Sequence, residues 1–159
     1  MEMTGELGLD KDGNINAYKV LFLINNGAYT ICYAPPANVS RLITTTYDIP
    51  NASLDLRVYL TNTVPVLPFR AAGRPETHLV LERLIDMGAQ KIGMDRKELR
   101  LKNLIPQDAM PFTTPMGMVY DVGGYPEALE GVAGIMEYGS FEARREQSKA
   151  DGKLRGISL

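Results

Sequence analysis

The clearest hydrophobic pattern in the chain covers residues 76–92 and predicts an amphipathic helix. Apolar positions recur there every three or four residues, while charged and amide side chains occupy the opposite side. Gly93 follows the last apolar position, as is usual where a helix ends. Because Gly88 lies within the stripe, we expect the helix to pack closely against another element. The stripe consists of Val80, Leu81, Leu84, Ile85, Gly88, Ala89 and Ile92.

Two further apolar runs predict β-strands. Residues 7–33 have the pattern of a strand, a turn and a strand, with Asp12-Gly13 as the turn signal. Residues 15–24 are rich in β-branched and aromatic side chains, so we expect a strand covered on both faces. Residues 54–60 alternate, which predicts a strand whose four even-numbered hydrophobic side chains share a buried face. Asn26-Gly27 is interpreted as a turn, after which residues 28–33 either resume as a strand or continue the turn.

Asp95 predicts the start of a second helix, because Glu98 stands three residues later in a capping box. We expect this helix to cover residues 96–103, with its charged side chains, Arg100 among them, on a solvated face. Residues 34–38 are predicted to be a non-helical connection, since two prolines stand there. The segment 39–46 is compatible with a helical turn or an extended strand, and the helical turn is preferred.

The remaining patterns complete an α+β fold. We predict a loop over residues 105–117, an extended segment over 118–121, helices over 125–138 and 141–150, and a final strand over 153–159. Together they predict a single domain over residues 1–159. Its mixed β-sheet comes from the N-terminal half and carries packed helices, and its C-terminal half is helical.

The segment of residues 61–76, TNTVPVLPFRAAGRPE, joins the predicted strand 54–60 to the clearest helix. Its prolines forbid a long helix, and Arg70 and Arg74 flank three small residues. Pro75 then stands where a first helical position is expected. One interpretation is a tight strand-to-helix turn with solvated arginines. The other is a place for an anion, because exposed amides and arginine forks meet a helix N-terminus.

Composition and charge exclude several classes of function. The chain has 159 residues and a formal net charge of −2, which gives no electrostatic case for binding nucleic acid or an anionic membrane. No apolar run reaches membrane-spanning length, and the acidic start does not resemble a signal peptide, so we expect a cytoplasmic protein. With Cys32 and His78 as the only residues of their kinds, we expect neither a disulfide nor a metal site of cysteine or histidine ligands within this chain.

Spaced motifs along almost the whole chain resemble one family. They are Asp12-Gly13, Gly27-Ala28-Tyr29, Tyr47-Asp48-Ile49-Pro50, Thr61-Asn62, the segment from Phe69 to Glu76, residues 99–105, residues 114–121 and residues 154–157. On these motifs the chain resembles an internal portion of the molybdenum-binding large subunit of the xanthine dehydrogenase, aldehyde oxidase and aerobic carbon monoxide dehydrogenase family. The resemblance favours the functional interpretation of the loop over the plain turn.

The resemblance implies part of a molybdopterin-binding domain in an oxidoreductase that hydroxylates a substrate carbon with oxygen from water. It implies that Arg70, Ala71 and Ala72 border the molybdenum cofactor, and that Phe69, Arg74 and Glu76 line or support the substrate pocket. The implied partners are the remaining large-subunit polypeptide and the iron–sulfur and FAD subunits, in an oligomeric complex. No side chain of this chain is expected to ligate a metal.

Two positions depart from familiar members of the family. Ala71 stands where carbon monoxide oxidisers are expected to hold copper through cysteine, and a methyl group cannot ligate a soft metal. Ala72 stands where purine oxidisers are expected to place a stacking phenylalanine. An aldehyde or a small heterocycle remains as the expected substrate.

The family's glycine-rich pterin loop and its base glutamate are not found in this sequence. We therefore expect a fragment or split subunit that is inactive alone and holds the cofactor only with the rest of the large subunit. The alternatives are a non-catalytic binding or assembly module that keeps the fold, and an unrelated anion-binding domain that uses Arg70, Arg74 and the amides of Ala71 to Gly73.

Overall fold

The computed structural model describes residues 1–159 and places a mixed β-sheet in the N-terminal half. β1 (Glu2–Leu9) pairs antiparallel with β2 (Ile15–Asn25), and β2 pairs parallel with β3 (Ala52–Tyr59), which gives the order β1-β2-β3. β4 (Phe112–Thr113) and β5 (Val119–Tyr120) form a separate antiparallel pair. The predicted α+β class and the mixed sheet are confirmed.

Five α-helices accompany the sheet: α1 (Ala34–Leu42), α2 (Arg74–Ile92), α3 (Arg96–Asn103), α4 (Tyr125–Ile135) and α5 (Phe141–Ala150). α1 lies on the crossover between the parallel strands β2 and β3, which cannot be joined by a tight turn. α2 packs against β1, α1 and α3. Because α3, α4 and α5 all lie in the C-terminal half, the prediction that this half is helical is confirmed as well.

The β1–β2 hairpin is fixed by one aspartate at its turn. Asp10 Oδ1 accepts hydrogen bonds from the backbone N–H groups of Asp12 and Asn14, at 2.9 and 2.8 Å. The Asn14 side chain donates to the other carboxylate oxygen at 2.7 Å, and these bonds, the side-chain one first, lower the pKa of Asp10. Gly13 adopts a φ of 84°, so the predicted Asp-Gly turn forms.

The apolar stripe of α2 lies in the core, as predicted. Leu81, Ile85 and Ala89 are fully buried, and they belong to one cluster with residues of β2, α1 and α3. Gly88 faces Leu9 of β1, and a Cβ at Gly88 would collide with that leucine side chain. The glycine therefore allows the close approach of α2 to the sheet that its place in the stripe indicated.

The strands lie where the sequence predicted them, but fewer of their side chains are buried than predicted. In β2, Val20, Phe22 and Ile24 are buried, whereas the side chains between them are only half-buried, so coverage of the second face is partial. The predicted buried face of residues 54–60 is also incomplete, because Val58 and Leu60 are exposed. β3 is an edge strand with a neighbour on one side only, and its C-terminal end extends beyond the packed core.

Three sequence predictions about local structure are wrong. Residues 34–38 are helical, because Pro35 and Pro36 occupy the first turn of α1, where a missing N–H removes no helical hydrogen bond. Residues 153–159 form no strand and pair with no other segment. The helix predicted over residues 125–138 ends at Ile135, and a short 3-10 helix, Tyr138–Ser140, follows after a turn. Of the two alternatives left open for residues 28–33, the strand does not form.

Arg100 corrects the prediction of a solvated face on α3. Its side chain is 5% exposed, and Nη2 lies 2.9 Å from both Glu82 Oε2 and Asp86 Oδ1 of α2. Burial alone would lower its pKa, but the charges of Glu82, Tyr47 and Asp86 raise it. The Asp95 cap of the same helix is confirmed, since Asp95 Oδ1 accepts from Lys97 N and Glu98 N at 2.8 and 3.1 Å.

Asn103 ties α3 to the hairpin and supplies a first test of the fold. Its side chain donates to Gly13 O and Leu99 O and accepts from Ile15 N, each at 2.8 Å. Replacing Asn103 by alanine would leave buried backbone groups without partners, so we expect a loss of about 2 kcal/mol in unfolding free energy.

Urea denaturation of the purified protein measures this loss. The matched control is Asn51→Ala, since the exposed Asn51 makes one hydrogen bond to Asn16 O at 2.9 Å. We expect the control to lose less than about 1 kcal/mol. Equal losses in the two variants would contradict the role assigned to Asn103.

Candidate functional site

The segment after β3 is held on its N-terminal side by the end of β2. Thr61 N donates to Gly27 O at 2.9 Å, and Ala28 N donates to Thr63 O at 3.0 Å. Asn25 Oδ1 accepts from both Gly27 N and the Thr61 hydroxyl, at 2.8 and 2.7 Å. Residues 61–66 therefore run beside the β2 terminus as an anchored segment.

Gly27 makes this anchoring possible. It has a φ of 81°, and a Cβ there would lie 2.5 Å from Pro65 Cα and Val64 O. A larger residue would meet both a strained backbone conformation and a direct overlap with the anchored segment. Gly27 thus has the positive φ that the predicted turn requires, and residues 64–65 pack directly against it.

The C-terminal part of the segment 61–76 is held by α1. We call its residues 69–74 the bend. Asn38 Nδ2 of α1 donates to Ala72 O at 2.7 Å, and Arg74 N donates to Ala71 O at 2.8 Å. Gly73 has a φ of 85°, and a Cβ there would lie 2.5 Å from Pro35 O. The bend is therefore seated on the first turns of α1.

Between the two anchors the bend projects into solvent. Phe69 is 97% exposed, and Arg70 and Ala71 are exposed too, while Ala72 is half-buried and Gly73 is buried. Ala71 adopts a φ of 56°, which is uncommon for a residue other than glycine. Such a conformation persists only when its surroundings determine it, and it often occurs at functional sites.

Most backbone N–H groups of the bend make no hydrogen bond within the chain. Those of Ala71, Ala72 and Gly73 donate to no acceptor within the chain. At the start of α2, Pro75 has no N–H and Glu76 N is also unpartnered. Several free amides at a helix N-terminus favour an acceptor or an anion, and the short alanine side chains leave room for it to approach.

The first turn of α2 contains Arg74, which is the last residue of the bend, and Glu76. Glu76 is half-buried, and its Oε2 is buried without a hydrogen-bond partner. Burial and the neighbouring Tyr125 raise the pKa of Tyr120, while the Arg74 guanidinium opposes this shift. The Tyr120 hydroxyl donates to Thr45 O at 2.8 Å.

The six residues singled out from the sequence therefore lie on one continuous segment. Phe69, Arg70, Ala71 and Ala72 form the projecting part, and Arg74 and Glu76 form the helix start. Sequence reasoning missed the residues that hold the segment, Asn25 and Asn38. Their side-chain bonds span more than 30 positions, and no local pattern identifies such bonds.

Large apolar side chains are exposed on the segments before α1 and before the bend. They are Tyr29 and Tyr33, and Val64 and Leu67, of which Val64 is 84% exposed. The chain brings together no group of three or more His, Cys, Asp or Glu side chains that could hold a metal ion. No helix combines the length and the hydropathy needed to cross a lipid bilayer.

Comparisons with known proteins place the chain in one domain family. A model of the family described as molybdopterin cofactor-binding domain matches residues 1–104. The carbon monoxide dehydrogenase large chain of Hydrogenophaga pseudoflava is 34% identical over 165 residues, covering 99% of this chain and 20% of the relative. The aldehyde oxidoreductase of Megalodesulfovibrio gigas is 31% identical over 160 residues, covering 99% of this chain and 17% of the relative.

Solved structures agree with this placement. The reconstituted CO dehydrogenase from Oligotropha carboxidovorans superposes with a TM-score of 0.84 at 33% identity, covering 93% of this chain and 19% of that chain. The chain thus spans about a fifth of the length of the relatives it matches.

Proposed function

The chain belongs to the molybdopterin cofactor-binding domain family, and on that premise we propose that it forms part of a molybdenum-cofactor oxidoreductase. In this proposal the bend borders the substrate pocket next to the cofactor. The observation that carries it is the set of unpartnered amides at Ala71, Ala72 and Gly73, on a projecting segment anchored at both ends.

The bend has the chemistry that this cofactor requires of its surroundings. Molybdopterin and its metal carry many acceptor atoms and a phosphate, which free amides and the Arg70 guanidinium suit. The unpartnered Glu76 Oε2 can accept from a donor, such as a pterin N–H group. When bound, the cofactor supplies a two-electron oxidation of the substrate carbon with water as the source of oxygen.

The side chains of the bend would shape the substrate pocket. Ala71 and Ala72 offer only methyl groups, so they leave open space in front of the amides. Phe69 presents an aromatic face, and Arg74 and Glu76 would support the bend from the helix. Because no side chain of the bend is a thiolate, a soft metal such as copper has no ligand there. We therefore propose an aldehyde or a small heterocycle as the substrate, and not carbon monoxide.

The exposed apolar side chains of this chain indicate that it has protein partners. Val64, Leu67 and Phe69 expose large apolar side chains on one short stretch of chain, which favours contact with further protein. We propose that the remaining large-subunit polypeptide covers them and completes the cofactor site. Iron–sulfur and FAD subunits would carry the electrons away, in an oligomeric complex located in the cytoplasm.

A substitution at Ala72 tests the proposed place of the bend. In the complete, cofactor-loaded protein, Ala72→Phe is expected to lower turnover of an aldehyde or heterocycle by about tenfold or more, because a phenyl ring would fill the space in front of the amides. Molybdenum content should stay within about twofold, since the bend supplies only part of the surroundings. Dye reduction and metal analysis measure both quantities.

The matched control is Ala143→Phe, at an exposed position of α5. It should leave turnover unchanged. If Ala72→Phe also left turnover unchanged, the bend would not border the pocket. If the unsubstituted complete protein carried molybdopterin but oxidised no substrate, the chain would instead be a non-catalytic module that keeps the fold.

A further inference from the structure

Asn38 is the one side chain that hydrogen-bonds the backbone of residues 69–73. It lies in α1, 34 positions before its acceptor Ala72 O, and the bond length is 2.7 Å. The neighbouring polar side chains of α1 bond elsewhere, because Ser40 and Arg41 both donate to Ala37 O within their own helix. Asn38 is half-buried, so its amide is not simply solvated.

This bond fixes the direction of one peptide unit. The carbonyl and the N–H of a trans peptide point in opposite directions. When Asn38 holds Ala72 O toward α1, the N–H of Gly73 therefore points away from Asn38. In the same way, the bond from Arg74 N to Ala71 O directs the N–H of Ala72 away from the helix start. Both of these N–H groups have no partner within the chain.

Steric contact on the same side supports this arrangement. Gly73 lies so close to α1 that a Cβ would come within 2.9 Å of Asn38 Cβ and Val39 N. The bend can approach α1 to this distance only without a side chain at Gly73, and Asn38 then reaches the carbonyl. The hydrogen bond at Ala72 and the close approach at Gly73 thus both hold the bend against α1.

We propose that Asn38 is a positioning residue that presents the Ala72 and Gly73 amides to an acceptor of the bound cofactor. This inference rests on the proposed function and assigns a role to a residue outside the bend. Asn38 itself touches neither cofactor nor substrate in this proposal. It acts through the orientation of the peptide unit that it holds, in the manner of preorganised donors.

Two shape-matched variants test the role in the complete, cofactor-loaded protein. Asn38→Leu and Asn38→Asp keep the volume of the side chain, but neither donates to a carbonyl at neutral pH. For both we expect kcat to fall by about tenfold or more with KM within about twofold, because the donors serve the cofactor and not the binding of substrate. Trypsin should also cut faster after Arg70, since the bend is released, and the fragment masses identify the cut.

Asn51→Asp is the control, since the exposed Asn51 donates to Asn16 O at the other end of β2. It should change neither kcat nor the rate of cutting after Arg70. A fall in kcat and a rise in cutting for both Asn38 variants supports the role. Unchanged kcat in both variants overturns it, as does a loss confined to Asn38→Asp, which would mark an effect of added charge.

The two proposals can fail separately. The unsubstituted protein could oxidise no substrate while trypsin cuts the Asn38 variants faster after Arg70. In that case the proposed function would be wrong, but the conclusion that Asn38 fixes the bend would stand. If the unsubstituted protein were active and both Asn38 variants matched it in every measurement, the positioning role would be wrong and the proposed function would remain.

Discussion

Replacing Arg100 by leucine is expected to lower the free energy of unfolding by about 3–5 kcal/mol. Arg100 is buried and faces two carboxylates of α2. Nε also donates to Glu82 Oε2 at 2.9 Å, and Nη1 donates to Arg96 O at 3.1 Å. The leucine would remove the guanidinium that faces both carboxylates at this half-buried site, and only the longer 3.7 Å contact of Arg96 with Asp86 would remain.

The network around Arg100 extends into the core. The Tyr47 hydroxyl donates to Glu82 Oε1 at 2.9 Å, and burial together with the Glu82 charge raises the pKa of this phenol. The contact with Asp86 Oδ1 is an ion pair that lacks the alignment of a hydrogen bond. Loss of Arg100 would therefore disturb three elements together, namely α2, α3 and the segment after α1.

Urea denaturation measures the effect, and Arg57→Leu is the control. Arg57 pairs with Asp55 at 2.6 Å, but both side chains are about half exposed. A surface pair of this kind contributes about 0–1 kcal/mol, so the control should change stability little. If Arg100→Leu lost no more than Arg57→Leu, the buried network would not stabilise the fold as described.

Replacing Gly73 by alanine is expected to have the second large effect, on both stability and activity. A left-handed backbone costs an alanine about 1–2 kcal/mol. The overlap of its Cβ with Pro35 O, at 2.5 Å, adds about 1–3 kcal/mol as in an overpacked core. Because the contact is with backbone, α1 and the bend must separate, and we expect turnover of the complete protein to fall by about tenfold or more.

The control Gly117→Ala separates strain from overlap. Gly117 has a φ of 78°, close to that of Gly73, but no atom lies within 4 Å of the position that a Cβ would take there. We expect it to lose only the strain of about 1–2 kcal/mol and to keep its turnover. Thermal denaturation and dye-reduction assays compare the two variants. Equal losses in both would contradict the close seating of the bend on α1.

Local sequence patterns were sufficient to predict the elements that depend mainly on interactions between residues near each other in the sequence. The stripe of α2 repeats over more than three turns, and the Asp10 side chain bonds the amides of its own turn, so both could be predicted without knowledge of the rest of the fold. The prediction that residues 34–38 are non-helical was wrong because proline breaks the interior of a helix but is tolerated in its first turn, where Pro35 and Pro36 lie. That distinction depends on where the helix begins, which the sequence pattern did not define.

Long-range packing accounts for the other errors. Arg100 has the sequence neighbours of a solvated helix residue, and only the approach of α2 brings Glu82 and Asp86 to it. The exposure of Val58 follows from the place of β3 at the sheet edge, which alternation cannot reveal. The bend could be predicted as a candidate site from its small residues and arginines. The hydrogen bond from Asn38 to Ala72 could not be predicted, because it depends on how α1 packs against the bend.

Hydrogen exchange of the bend amides tests the central claim most directly. The complete protein is compared with and without its bound cofactor, and the exchange rates of the Ala71, Ala72 and Gly73 amides are measured. Because these groups have no acceptor within the chain, we predict that loading slows their exchange by about tenfold or more. Unchanged rates at these three amides, with slowed exchange elsewhere in the loaded protein, would contradict the account.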